Sequence, residues 1–275
     1  MDLMEIRKIA DQYMESKYNH IASDIALTED LRNVRMFDDS LIGVAKAADP
    51  MFVKLQEPQI IGPHFRLPDQ WLPEAQSVLS FFFPFSQVIR DSNKVDMTYP
   101  SPGWLHGRIE GQEFIKLFAK NMVDSLVAAG CRAVAPSIDD RFFANLGKDA
   151  YDVHSEFTSN WSERHVAYTC GLGTFSLSKG LITEKGIAGR FTSVITDAIL
   201  PANGIPYSTY DENCILCGKC IKNCPAQAIS FEHGKNHKLC AAFLNKVKAE
   251  NFPRLGCGKC QVNVPCEHQI PKKRV

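Results

Sequence analysis

Eight cysteines lie after residue 213 of this 275-residue chain, and only two precede them. The first four form Cys214-Ile215-Leu216-Cys217-Gly218-Lys219-Cys220-Ile221-Lys222-Asn223-Cys224-Pro225, a C-x2-C-x2-C-x3-C-P run. Three thiolates two residues apart on one loop reach three irons of a single [4Fe–4S] cube, while the fourth lies beyond a turn and points to a second cube. Pro225 helps turn the chain there. Cys240, Cys257, Cys260 and Cys266 supply four further thiols. The cross-over of two-cluster ferredoxins gives Cys214, Cys217, Cys220 and Cys266 to cluster one. It gives Cys224, Cys240, Cys257 and Cys260 to cluster two. Sixteen residues separate Cys240 from Cys257 and five separate Cys260 from Cys266, both longer gaps than in a compact ferredoxin.

Zinc, disulfides or one cluster with stray cysteines are the alternatives. Structural zinc uses paired C-x2-C motifs and needs neither the third close cysteine nor the proline. Disulfides belong to exported chains, and Met1-Asp2-Leu3-Met4-Glu5 does not open a signal peptide. Cys131 reads as a buried hydrophobe. Cys170 reads as packing at a helix end, with a cofactor-facing role as its alternative.

Lys plus Arg and Asp plus Glu balance at 31 each, which argues against a partner recognised through its phosphates. Lys272-Lys273-Arg274 reads as a solvated tail. The most apolar stretch, Val78 to Phe85, is too short for a bilayer and contains Pro84. The expectation is a cytoplasmic protein with no membrane contact.

Helical spacing of Leu3, Ile6, Ala10 and Tyr13 predicts a helix over 2–18. Val78–Phe83 predicts a buried strand. Residues 90–107, including Trp104 and His106, read as loop, with those two side chains lining a pocket entrance or packing. Phe114, Ile115, Phe118, Met122 and Leu126 predict a long helix stopped by Gly130, followed by a strand over 131–135. Ser159 or Asn160 caps a helix running from Trp161, a core residue, towards Cys170. The segments 180–183 and 191–196 then read as strand–loop–strand. The result is an α/β (α+β) layered domain over 1–205 and a ferredoxin-like domain over 206–275, joined near Pro201, Gly204 and Pro206. No internal repeat is evident.

The segment from Trp161 to Asp197, taken with the cysteine run, resembles the epoxyqueuosine reductase family, which is related to the reductive dehalogenases. The helix ends in Gly171-Leu172-Gly173, a hairpin ends in Thr196-Asp197, and C-x2-C-x2-C-x3-C-P, a lone cysteine and a final cysteine group follow. The resemblance implies a nitroreductase-like N-terminal domain that binds cobalamin and a two-cluster domain that feeds electrons to the cobalt. Gly171, Leu172, Gly173, Thr174 and Phe175 are then the cofactor-binding turn, with glycines admitting a large macrocycle. Arg164 fits the family's arginine. The family's catalytic aspartate falls on Phe157, which carries no proton, so the catalytic candidates are Arg164 and the adjacent Glu156, with Asp152 and His154 nearby. His165 reads as structural. Family members acting on tRNA continue into a helical-repeat domain, and this sequence stops at Val275, which argues against tRNA as substrate. The resemblance therefore implies an iron–sulfur reductase acting through cobalamin on a small molecule, fed by a low-potential donor such as a ferredoxin or flavodoxin. The alternative is an electron carrier that reduces cobalt in a corrinoid protein and has no substrate of its own. A flavin, FMN, ranks behind cobalamin as cofactor.

Overall fold

The computed structural model describes residues 1–146 and 157–272. Asp152, His154 and Glu156 lie outside the described residues.

Helix α1 (Leu3–Met14) starts at Asp2, whose side chain accepts from Glu5 N while Glu5 accepts from Asp2 N. This reciprocal cap satisfies amide groups that the first helical turn leaves free. Ile6, Ala10 and Met14 form its buried stripe. Strand β1 (Leu41–Lys46) follows, then short helices α2 (Pro50–Lys54) and α3 (Pro68–Trp71), strand β2 (Ser77–Pro84) and helix α4 (Gln87–Ser92). Helix α5 (Pro102–Ala128) has Ser101 as its cap and Pro102 in its first turn, where a missing N–H costs nothing. Of residues 90–107, 93–101 are loop as expected, whereas 90–92 end α4 and 102–107 belong to α5, because Ser101-Pro102 opens a helix instead of a turn. Trp104 and His106 are buried within it.

Short strands β3 (Ala133–Val134), β4 (Ala144–Leu146) and β5 (Phe157–Ser159) lead to helix α6 (Glu163–Thr169). Ser162 precedes α6, while Asn160 instead donates to Arg141 O and accepts from Phe143 N. The chain continues through β6 (Gly173–Phe175), β7 (Leu181–Thr183) and β8 (Gly189–Thr196). The expected strand–loop–strand pairing is replaced. β7 pairs with β6, and β8 enters the main antiparallel sheet, ordered β1-β2-β8-β3. Pairing of β2 with β8 runs from Ser77 opposite Thr196 to Pro84 opposite Gly189.

Alternation along β2 divides the core. Leu79, Phe81 and Phe83 face α1 and α5 with Phe114, Phe118 and Met122, while Val78 faces α6 with Phe52, Phe65, Trp71 and Trp161. Helices cover both faces, giving a layered α+β domain. Trp161 is core as expected, stacked on Phe65 at 5.3 Å between ring centroids.

Residues 201–207 carry no helix or strand, and Asn203 ties them to β1 through both its backbone and side chain. The cysteine segment adds α7 (Lys219–Lys222), a β9 (Ile229–Ser230) and β10 (Gly234–Lys235) pair, and α8 (His237–Asn251). Among the described residues no helix is long and apolar enough to cross a membrane.

Candidate iron–sulfur and acceptor site

Hairpin β6–β7 cradles the start of the cysteine run. Asn213, beside Cys214, donates its backbone N–H to Thr174 Oγ1 at 2.8 Å and its side chain to Ile182 O at 3.0 Å. Phe175 N donates to Tyr210 O at 2.7 Å. The far end of the segment is tied nearby, with Ile187 N donating to Cys266 O at 2.9 Å and Ala188 N to Glu267 O at 3.1 Å. These bonds bring Cys266 back to the first loop. Cys214, Cys217, Cys220 and Cys266 together line one pocket, and Cys260 lines it with them.

The thiol environments separate into two sets. Burial pushes Cys266 up to about 12, and Cys214, Cys217 and Cys220 push it the same way. Burial likewise pushes Cys257 up to about 12, with Cys260 and Cys240 adding to it. Cys260 is raised by burial and by Cys240 and Cys224, against Lys235. Cys220 is raised to about 12 by burial and by Cys260 of the other set. Crowded, enclosed thiols cannot all ionise without a cation, whereas bound metal reverses that balance and holds them as thiolates. Among the described residues no three His, Cys, Asp or Glu side chains are arranged for a single metal ion. The donor chemistry, thiols alone with cubane spacing in the first run, is that of iron–sulfur ligation. Cys224 Sγ also accepts from Ala228 N at 3.3 Å. Cys240 sits in the first turn of α8, and the rest of that helix fills most of the long gap before Cys257.

The second loop is pressed into the layered domain. Cys217-Gly218-Lys219-Cys220 and Cys257-Gly258-Lys259-Cys260 are the same tetrapeptide, and both glycines have positive φ, 69° and 68°. Cys217 and Lys219 are exposed, but Lys259 is 0% exposed. Lys259 Nζ donates to Asn93 O at 2.7 Å and Asn93 Oδ1 at 2.8 Å, and Asn93 Nδ2 donates to Cys257 O at 3.0 Å. Burial lowers Lys259 to about 8, against the raising effect of Cys257 and Asp96. Trp104 is the floor under this loop: a Cβ at Gly258 would fall 2.0 Å from the indole. Glu267 completes the dock through Lys94 at 2.8 Å and Arg90 at 3.4 Å.

Arg164 projects from α6, exposed, and donates to Lys179 O at 2.7 Å. Its charge is felt at His165 and His237, and it lies within electrostatic range of Cys260. Burial pulls His165 down to about 4, with Arg164 contributing, and Ser162 Oγ and the Phe175 ring hold that imidazole. Burial also lowers His237 to about 4, helped by Lys235, Lys179 and Arg164. Phe157 stacks on His237 at 5.5 Å, so the residue at the family's aspartate position leans on a neutral imidazole. His237 is the group that sequence reasoning passed over, while Glu163 reads from the sequence as part of a solvated or ion-paired helix face and instead has both carboxyl oxygens buried. Burial pushes the Glu163 carboxyl up to about 7 while Ser193 opposes. Nothing in the spacing marks either.

The turn expected to hold a macrocycle is closed. A Cβ at Gly171, φ +76°, would lie 2.3 Å from Gly204 O, and one at Gly173 would lie 2.2 Å from Ile182 O. The glycines admit the chain's own backbone, not a ligand. Thr174 is fully buried on Asn213 and Leu172 is 8% exposed, leaving Gly171 and Phe175 as the half-open members. These five residues do not fit a corrinoid-contacting face. Their geometry fits a cradle for the cysteine run. Cys170 is 0% exposed, with Sγ directed at Val78 O at 3.4 Å, as expected for packing at a helix end. His106 accepts from Leu27 N at 3.0 Å and pairs with Glu110, a structural role.

Residues 208–230 match the family described as 4Fe-4S binding domain. No curated protein matches the chain by sequence. A selenomethionine-labelled epoxyqueuosine reductase superposes at TM-score 0.51 and 18% identity, over 82% of this chain and 61% of that one. The epoxyqueuosine reductase from Streptococcus thermophilus gives 0.51 and 14%, over 97% and 66%. A catabolic reductive dehalogenase in complex with 3-bromo-4-hydroxybenzoic acid gives 0.51 and 16%, over 84% and 30%. The protein is thus a layered α+β chain ending in an iron–sulfur, ferredoxin-like segment. Its fold is that of the epoxyqueuosine reductases and reductive dehalogenases, and it spans 61% of the first of these reductases.

Proposed function

We propose that this chain is an iron–sulfur reductase carrying two [4Fe–4S] clusters. The cavity lined by Cys214, Cys217, Cys220 and Cys266 carries that reading. Cys224, Cys240, Cys257 and Cys260 hold the second cluster, with residues 1–205 and 206–275 as the two domains. An external ferredoxin- or flavodoxin-like donor delivers electrons at the exposed Cys217 side. They leave from the Cys260 side, where Arg164 and His237 gather.

Cobalamin is proposed as the acceptor on the fold and the family resemblance. When bound, a corrinoid supplies the low-valent metal that performs the reduction. This chain's residues do the rest. Arg164 offers a cation to an electron-rich group. His237, held neutral, accepts a hydrogen bond or proton rather than acting as a standing charge. The substrate is a small molecule rather than tRNA, consistent with the balanced charge of the chain.

Anaerobic reconstitution tests the cluster reading: about eight irons and eight sulfides per chain are expected. Zinc without charge-transfer absorbance sinks it. Cobalamin titration then separates the two acceptor readings. Binding that weakens about tenfold or more in Arg164→Ala, with unchanged iron content, supports the reductase. No binding to the parent favours the electron carrier, a reading supported by the closed Gly171–Gly173 turn. Conversion of epoxyqueuosine in tRNA overturns the small-molecule substrate.

A further inference from the structure

Lys259 is a fully buried ammonium between Cys257 and Cys260. Its Nζ donates to Asn93 O and Oδ1, both neutral acceptors, and no carboxylate forms an ion pair with it among the described residues. Burying a charge without a counter-charge is costly. Apart from the thiols, Asp96 is the acidic group facing it, and Asp96 stands in solvent. The negative charge that compensates Lys259 is therefore the thiolate set itself. Arg164 and Lys235 add positive field on Cys260 from α6 and β10.

Two opposing effects act on a cluster held there. Enclosure disfavours reduction, because the added electron increases net negative charge in a poorly solvated place. A fixed cation at the ligands favours reduction for the same electrostatic reason. The first loop is more open and lacks the buried cation: Cys217 is exposed, and Lys219 reaches solvent.

We propose that Lys259 is a potential-setting residue: its buried charge offsets the enclosure of the cluster on Cys224, Cys240, Cys257 and Cys260, keeping it reducible by electrons arriving through the exposed cluster. This inference rests on the two-cluster reading. The step is a one-electron reduction of an oxidised cluster by an external one-electron donor, and no proton is taken from Lys259.

The test is an EPR-monitored dithionite titration of the anaerobically reconstituted full chain. The parent should show two one-electron transitions. Lys259→Met should lower one midpoint by about 59 mV, a tenfold change in the reduced-to-oxidised ratio, and leave the other within twofold. Lys219→Met, the exposed counterpart, should move neither by more than twofold. If Lys259→Met fails to take up iron, Asn93→Asp decides, because it keeps the lysine but places a compensating carboxylate on Nζ. It should lower the same midpoint. Eight irons with neither midpoint moved, or both moved equally, overturn the inference while the two-cluster reading stands. A parent with four irons and a single transition overturns the two-cluster reading itself.

Discussion

The two C-G-K-C loops are alike in sequence and backbone, yet they meet opposite surroundings. At the first, Cys217 and Lys219 face solvent, and a Cβ at Gly218 would meet the edge of Phe231, itself 61% exposed, at 2.9 Å. At the second, the indole of Trp104 lies beneath Gly258, and Lys259 is locked to Asn93. The left-handed glycine turn is local chemistry that both share. Burial is decided by what the layered domain presents: the first turn of α5 and the end of α4. One tetrapeptide therefore lies open to solvent in one place and serves as a docking plug in the other.

The largest break in this comparison comes from the ligands. Cys217→Ser and Cys260→Ser should each lower iron from about eight to about four per chain, and the first should also loosen the small module that depends on its metal. Equal loss of both clusters from either variant, read by iron analysis, would show the loops to be one unit. The glycines come next. Gly258→Ala meets the indole as well as a left-handed backbone and should cost about 4 kcal/mol in denaturant unfolding, against about 1 kcal/mol for Gly218→Ala. Asn93→Ala strips partners from a buried ammonium and from a buried carbonyl, and should cost about 3 kcal/mol while leaving the entrance cluster's absorbance intact.

A smaller effect contrasts the buried lysine with the buried carboxyl across the dock. The pKa of Glu163 is raised to about 7, so its protonated form favours the fold. That stabilisation is complete below about pH 4.5 and is lost as pH rises through about 7. Glu163→Gln does not titrate and should gain about 2 kcal/mol on the parent at pH 8 but nothing at pH 4. Melting curves across that range check the sign. Smallest of all, Lys219→Met should change stability by less than about 0.5 kcal/mol, as expected for a solvent-facing charge.

Much of this architecture was legible in the residues. The eight cysteines, the mostly apolar β2 and the stripe of α5 each carry a local signal strong enough to survive tertiary context. The placement of β8 was not legible. Phe191–Thr196 is strand-forming in composition, but its partner is β2, more than a hundred residues earlier, and no turn chemistry records a pairing that distant. The Gly171-Leu172-Gly173 turn misled because a glycine signals close approach without saying what approaches. Lys259 was passed over because lysine is ordinarily a surface residue, and only the docked structure reveals Asn93 and Trp104 around it.

In the proposed assignment the thiol sets are interleaved along the chain: Cys266 closes the set begun at Cys214, and Cys224 goes with Cys240, Cys257 and Cys260. This has a consequence for biogenesis. A ribosome presents Cys266 last, so neither cube can be completed on a nascent chain until almost the whole cysteine segment has left the exit tunnel. Metal loading then follows emergence of the cysteine segment. The layered domain supplies, in Asn93 and Trp104, the surface against which the loaded segment closes.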